Sequence, residues 1–175
     1  MTTVGNLNGR RGAEISPDGM FRFRLWRRWG DGRQMTFIML NPSIADASVD
    51  DPTLRRCIGF AQREGCDGVQ LVNLYPYRTH KPKYLLEARD AGIDISGGQR
   101  GKEAVVKAMS NNGDLVVAAW GAHDIAAESE ARQLISVINQ AEHAGGRLFC
   151  FGRTKDGSPR HPLYLKSDAP LEPWP

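Results

Sequence analysis

Residues 36–43, TFIMLNPS, decide the fold. The run Thr36–Leu40 has the length of a strand, carries apolar residues on both faces, and stops at Asn41-Pro42-Ser43. A strand apolar on both faces must be covered on both, which is the habit of a parallel sheet packed between helices. Three more runs share this character: Val69–Val72 (VQLV), Leu115–Ala119 (LVVAA) and Arg147–Phe151 (RLFCF). Helical patterns separate them. The first starts at Asp51 as N-cap with Pro52 in first position, turns Leu54, Cys57, Ile58 and Ala61 to one face and ends at Gly65. A second spans Gly98–Met109, stopped by Asn111, Asn112 and Gly113. A third, Ile125–His143, sets Ala127, Ala131, Leu134, Ile135 and Ile138 in one stripe before Gly145 and Gly146. The order β-α-β-α-β-α-β predicts a three-layer α/β/α fold on a four-stranded parallel sheet with right-handed crossovers.

Outside this core, Met20–Trp29 (MFRFRLWRRW) alternates apolar residues with arginine and is expected to add an edge strand, half of a hairpin turning at Gly30-Asp31-Gly32. The organisation expected is one α/β domain over 1–175, with a basic edge segment at 1–33, the core at 34–166 and an extended tail at 167–175. No apolar run approaches the roughly 20 residues that span a bilayer, and Met1–Gly12 is polar, so a cytoplasmic monomer is expected. Cys57, Cys66 and Cys150 form no C-x-x-C pair and predict neither disulfide nor metal. Positive charge gathers at the ends: Met1–Arg33 holds seven arginines against three acids, and Gly146–Lys166 five basic residues against one acid. If the ends meet, they make a basic face suited to phosphates.

Ligands of open parallel sheets bind beyond the carboxyl ends of the strands. Each expected strand runs there into a polar cluster: Asn41-Pro42-Ser43; Asn73 to Arg78, with Tyr75 and Tyr77; Trp120 to His123; and Gly152-Arg153-Thr154 followed by Pro159-Arg160-His161-Pro162. Amides offer donor and acceptor to a base edge, aromatic rings offer stacking and arginine a fork for phosphate, so a nucleobase suits the set. Neither a G-x-S-x-G elbow nor a P-loop is present. His161, between Arg160 and Pro162, is expected to stay neutral and to donate its N–H to a developing anion.

The runs MLNPSIADASVDDPTLRRCIGFA, VQLVNLYPYR, AAWG and PRHPLYL closely resemble a bacterial and phage family, domain of unknown function 1643. More distantly, the N-P turn, the asparagine ending the second strand and the His-Pro loop resemble the uracil-DNA glycosylase superfamily, in its mismatch-specific and thymine-DNA glycosylase branch. That resemblance implies the strand order 2-1-3-4. It also implies a cofactor-free DNA glycosylase that flips out a mismatched or modified pyrimidine, uracil included, and hydrolyses its N-glycosidic bond, acting in antiviral defence where the base belongs to phage DNA. It implies that Asn41 positions water, that His161 stabilises the departing base, and that Asn73, with Tyr75, Tyr77 or Trp120 stacking, holds it. Ser43, Arg153, Arg160, Leu163 and Tyr164 would contact DNA, Leu163 or Tyr164 entering the duplex. Met39 and Ser43 stand where that branch has glycines, Leu163 where a serine is usual, and no motif carboxylate is present. The missing glycines and carboxylate favour one alternative, a non-cleaving base-binding module; a hydrolase or transferase of free modified nucleotides is another, which would have little use for the basic ends.

Overall fold

The computed structural model describes residues 2–5, 10–110, 114–127, 129–143 and 148–174. The strands are β1 (Thr2–Gly5), β2 (Arg11–Ile15), β3 (Arg22–Arg28), β4 (Gln34–Met39), β5 (Gly68–Asn73), β6 (Leu115–Ala118), β7 (Leu148–Cys150) and β8 (Glu172–Pro173). The helices are α1 (Pro52–Arg63), α2 (Pro82–Asp90), α3 (Gly98–Met109) and α4 (Ser129–His143). The expected stops at Asn111–Gly113 and Gly145–Gly146, and Arg147 of the fourth run, lie outside the described residues.

The expected four-stranded parallel sheet of order 2-1-3-4 is not what forms. The strands make one eight-stranded mixed sheet, β1-β2-β3-β5-β4-β6-β7-β8, with antiparallel pairing from β1 to β5 and between β7 and β8. Within it β4 pairs in parallel with β5 and β6, and β6 with β7. The arginine-rich segment accounts for much of the difference. β3 is no edge strand but lies between β2 and β5, and the turn at Gly30–Gly32 closes no hairpin because β5 separates β3 from β4. That turn is fixed instead by Asp67, which accepts a 2.8 Å hydrogen bond from Gly32 N. The tail pairs as well, and Trp174 N donates to Leu148 O at 2.8 Å.

Alternation along β4 splits the interior into two cores. Met35, Phe37 and Met39 pack with Leu54, Cys57, Phe60 and Ala61 of α1. Ile38 and Leu40 pack on the other face with Leu85 of α2, Val105 of α3 and Leu134 and Ile138 of α4. α1 starts where its sequence says it should: Asp51 Oδ1 accepts from Leu54 N at 2.7 Å, and Pro52, which has no N–H to satisfy, follows. Among the described residues no helix is long and apolar enough to cross a membrane.

Arg22 sits where it does because of a register shift. Ile15 pairs with Arg22 and Glu14 with Arg24, so Phe23 is an extra residue and β3 bulges there. A bulge restarts the in-out alternation and re-aims side chains. Arg22 therefore reaches the α1 side of the sheet together with Arg27, although the two differ in parity. There the arginines grip the loop that leaves β4. Arg22 Nη1 donates to Ala45 O at 2.6 Å, Arg27 Nη2 to Asp46 O at 2.6 Å, and Arg11 to Ala47 O at 2.9 Å and Ser48 O at 2.8 Å. Arg27 also pairs with Asp50 at 2.6 Å. β1–β3 of the N-terminal basic segment are separated from β7 by β5, β4 and β6, although Arg22 and the loop after β7 come to one cavity.

Candidate functional site

The loops leaving the parallel strands enclose a cavity of about 310 Å³. Its wall includes Asn41 from beyond β4, Asp51 at the head of α1, Asn73 at the end of β5, His161 from beyond β7 and Arg22 from β3. Asn73 pairs in register with Met39 and follows Leu71 by two residues, which turns its side chain to the α1 face. It is 2% exposed, and neither Oδ1 nor Nδ2 has a hydrogen-bond partner among the described residues. A buried polar group left unmatched costs roughly 1–3 kcal/mol. Two such atoms at a cavity wall can be matched only from the cavity side, by water or by another polar group.

His161 caps the short turn Pro162–Tyr164, and its Nδ1 accepts from Leu163 N at 3.3 Å. The ring proton is thereby assigned to Nε2. Burial pushes the pKa down to about 4, with the neighbouring His123 adding to the effect and Asp51 opposing it, so the ring is neutral near pH 7. Gly121 lies beside both histidines with φ at +78°; a Cβ there would sit 3.4 Å from His123 and 3.5 Å from His161 Cβ. Arg22, also almost fully buried, has no acceptor for its Nε. Burial lowers its pKa to about 10, against the pull of Asp51, which leaves it charged at neutral pH.

Other expected residues take different places. Asn41 lines the wall, but its Nδ2 is committed to Thr79 O at 3.1 Å, Thr79 Oγ1 at 3.0 Å and Pro42 O at 3.2 Å, tying together the loops after β4 and β5. Ser43 and Leu163 are on the wall, and Tyr164, 84% exposed, stands at the mouth with its ring 5.6 Å from that of His161. The three expected stacking residues do not line the cavity. Tyr75 is buried, its hydroxyl donating to Ile125 O at 3.1 Å, because its ring fills the core under α2–α4. Tyr77 packs edge-on against Phe21 at 5.7 Å and borders a separate hollow with Arg78, His80 and Tyr84. Trp120 packs edge-on against Trp174 at 5.5 Å and borders another. Arg153 and Arg160 are exposed outside the wall, with Arg160 Nε donating to Arg153 O at 3.0 Å.

Sequence reasoning missed Arg22 and Asp51. Asp51, with Asp46 and Asp50, is an acid-base candidate that the sequence sets down as structural because it reads as a helix cap, which it is. Arg22 carried no local sign, because its position depends on the bulge. Among the described residues no group of three His, Cys, Asp or Glu is placed to hold a metal ion, and the three cysteines are free and buried.

Fold and cavity together define an α/β protein with a polar cavity at the carboxyl edge of its parallel strands. The chain belongs to the family described as Protein of unknown function (DUF1643), whose model matches residues 22–163, a span that starts at Arg22 and ends at Leu163. No curated protein and no solved structure matches it.

Proposed function

We propose that the protein is a DNA glycosylase that takes a flipped-out pyrimidine, mismatched or modified, into this cavity and hydrolyses its bond to the sugar. The observation that carries the reading is the orphaned amide of Asn73. One donor and one acceptor, fixed side by side in a buried wall, match the adjoining C=O and N–H or N and NH₂ of a pyrimidine edge. His161 supplies the second element. A neutral Nε2–H stabilises a base leaving with the electron pair of its glycosidic nitrogen, and because the ring starts neutral it is poised for charge that appears only in the transition state. The resemblance of the N-P, asparagine and His-Pro motifs to the uracil-DNA glycosylase superfamily supports the same roles.

The surroundings suit a polymer. Ile44, 61% exposed, and Tyr164 flank the mouth and offer apolar side chains to the gap that an extruded base leaves. The hollow of Tyr77, Arg78, His80 and Tyr84 adjoins the cavity through Thr79 and His80 and combines stacking surface with charge. Arg153 and Arg160 add exposed charge for phosphates.

Duplex and single-stranded DNAs carrying uracil, thymine opposite guanine, or 5-substituted pyrimidines, assayed for free base and alkali-labile sites, test this. Release from at least one substrate is expected, and His161→Ala should slow it by about 10²- to 10³-fold with binding retained. No release from any DNA would reject the glycosylase reading. The occupied Nδ2 of Asn41 favours a second reading, in which the cavity holds a base without cutting it. Salt-dependent DNA binding without release would select that one.

A further inference from the structure

A glycosylase whose water is held only by an asparagine lacks a base to take the water's proton. The cavity does contain a carboxylate. We propose that Asp51 is the catalytic base of this site, accepting the proton of the water that attacks the sugar; the inference rests on the glycosylase reading above and deepens it.

Elimination and geometry both lead there. Of the acids near the loop after β4, Asp46, whose Oδ1 accepts from Ser48 N, Ser48 Oγ and Val49 N at 2.8 to 2.9 Å, and Asp50, held by Arg27 and Arg11, both lie off the cavity wall. Asp124 is exposed and borders a different hollow. Asp51 is the one acid on the cavity wall among the described residues, and it is buried. Its Oδ1 is anchored by Leu54 N at 2.7 Å, which fixes the side chain against the first turn of α1, while Oδ2 has no protein donor among the described residues. Its charge is felt by both Arg22 and His161, groups from two other strands' ends that share the wall. The unpartnered Asn73 amide and Arg22 Nε mark the same cavity as a binding site independently of Asp51.

The step balances as follows. The C1′–N bond breaks with its electron pair passing to the base, which departs as an anion hydrogen-bonded to His161 Nε2–H. The water oxygen bonds to the cationic C1′, and one water proton passes to the Asp51 carboxylate. The resulting carboxylic acid returns that proton to the departed base through solvent. The products are an abasic sugar bearing a C1′ hydroxyl and the neutral base. Until attack occurs, the carboxylate also opposes the positive charge developing at the sugar.

The cap itself makes a clean test possible. Asparagine is as good an N-cap as aspartate, so Asp51→Asn removes the charge and leaves the helix start and side-chain volume intact. On whichever DNA of the panel the wild type cleaves, Asp51→Asn should lower single-turnover base release by at least about 10²-fold, within the range of general-base contributions. Thermal unfolding and DNA affinity should stay at wild-type values. Asp51→Gly should regain part of the lost rate in millimolar sodium formate, an external carboxylate, whereas His161→Ala should not. Release by Asp51→Asn within threefold of wild type, a loss accompanied by lowered unfolding temperature and affinity, or failure of formate to restore Asp51→Gly would each overturn the role of Asp51 while leaving the glycosylase reading standing. A wild type that releases no base overturns both.

Discussion

Asn73 places function and stability in opposition within one side chain. Its two polar atoms find no partner among the described residues, which is a cost to the fold. Leucine has nearly the same shape and no polar atoms, so Asn73→Leu should stabilise the protein by roughly 1–3 kcal/mol in urea denaturation while abolishing base recognition. An unchanged or lowered midpoint would mean that the amide has partners after all. His161 offers a test by pH. The unfolded chain protonates this residue near 6.5 and the fold resists until about 4. The stability that comes from keeping the ring neutral is therefore complete above pH 6.5 and is lost as the pH falls from 6.5 to 4. NMR titration of the His161 ring should show a midpoint near 4, and a midpoint near 6.5 would contradict the buried environment. Asn73 and His161 were both legible in the sequence, because polar clusters at the ends of apolar strands converge wherever strands run in parallel. Asp51 was passed over as an acid-base candidate on a true but incomplete reading, since an aspartate before proline explains itself as a cap. Tyr75 and Trp120 were misread for the opposite reason: a buried ring with a polar tip and a stacking ring look alike until a core exists around one of them.

Among the elements, β3 decides most. Alternating apolar and arginine residues normally signal an edge strand with one wet face, yet here the polar face is turned onto a loop instead of onto water. No local pattern distinguishes the two cases, because the acceptors are backbone carbonyls some twenty residues away in sequence. Arg27 bonds to Asp46 O, Trp26 O and Asp50, and is nearly fully buried. Arg27→Met would fill the same space but leave these acceptors without a donor, at a cost of about 2–3 kcal/mol, part of Asp50 remaining hydrated. Proteolysis of the native protein should then cut first within 44–50. Resistance equal to wild type would mean that the loop holds itself. The nine-residue α2 was invisible for a simpler reason. Its N-cap Lys81 makes no side-chain cap bond, and only Leu85 and Ala88 of it are buried, too few to raise a periodic stripe above the surrounding charge.

For the whole molecule, charge is arranged by topology more than by sequence position. The strands of the two basic ends, whose meeting the sequence left open, are separated by β5, β4 and β6, and much of the N-terminal charge is consumed in holding the β4 loop. Exposed positive charge suited to a polyanion stands on the loop after β7, at Arg153 and Arg160. DNA affinity should accordingly fall with salt, and Arg160→Ala or Arg153→Ala should each shallow the log–log slope by about one unit, whereas Arg24→Ala, on the opposite face beside Glu14, should leave it unchanged. Equal slopes for all three would place the DNA elsewhere. The arginine grip on the β4 loop has one more consequence. It takes hold of Ala45, Asp46, Ala47 and Ser48 by their carbonyl oxygens, which every amino acid possesses, and leaves the outward side chains of Ile44, Ser48 and Val49 uncommitted to the grip. The lip of the cavity can thus be rewritten at Ile44 like an exchangeable fitting, its chemistry changed there while the frame that carries it keeps its shape.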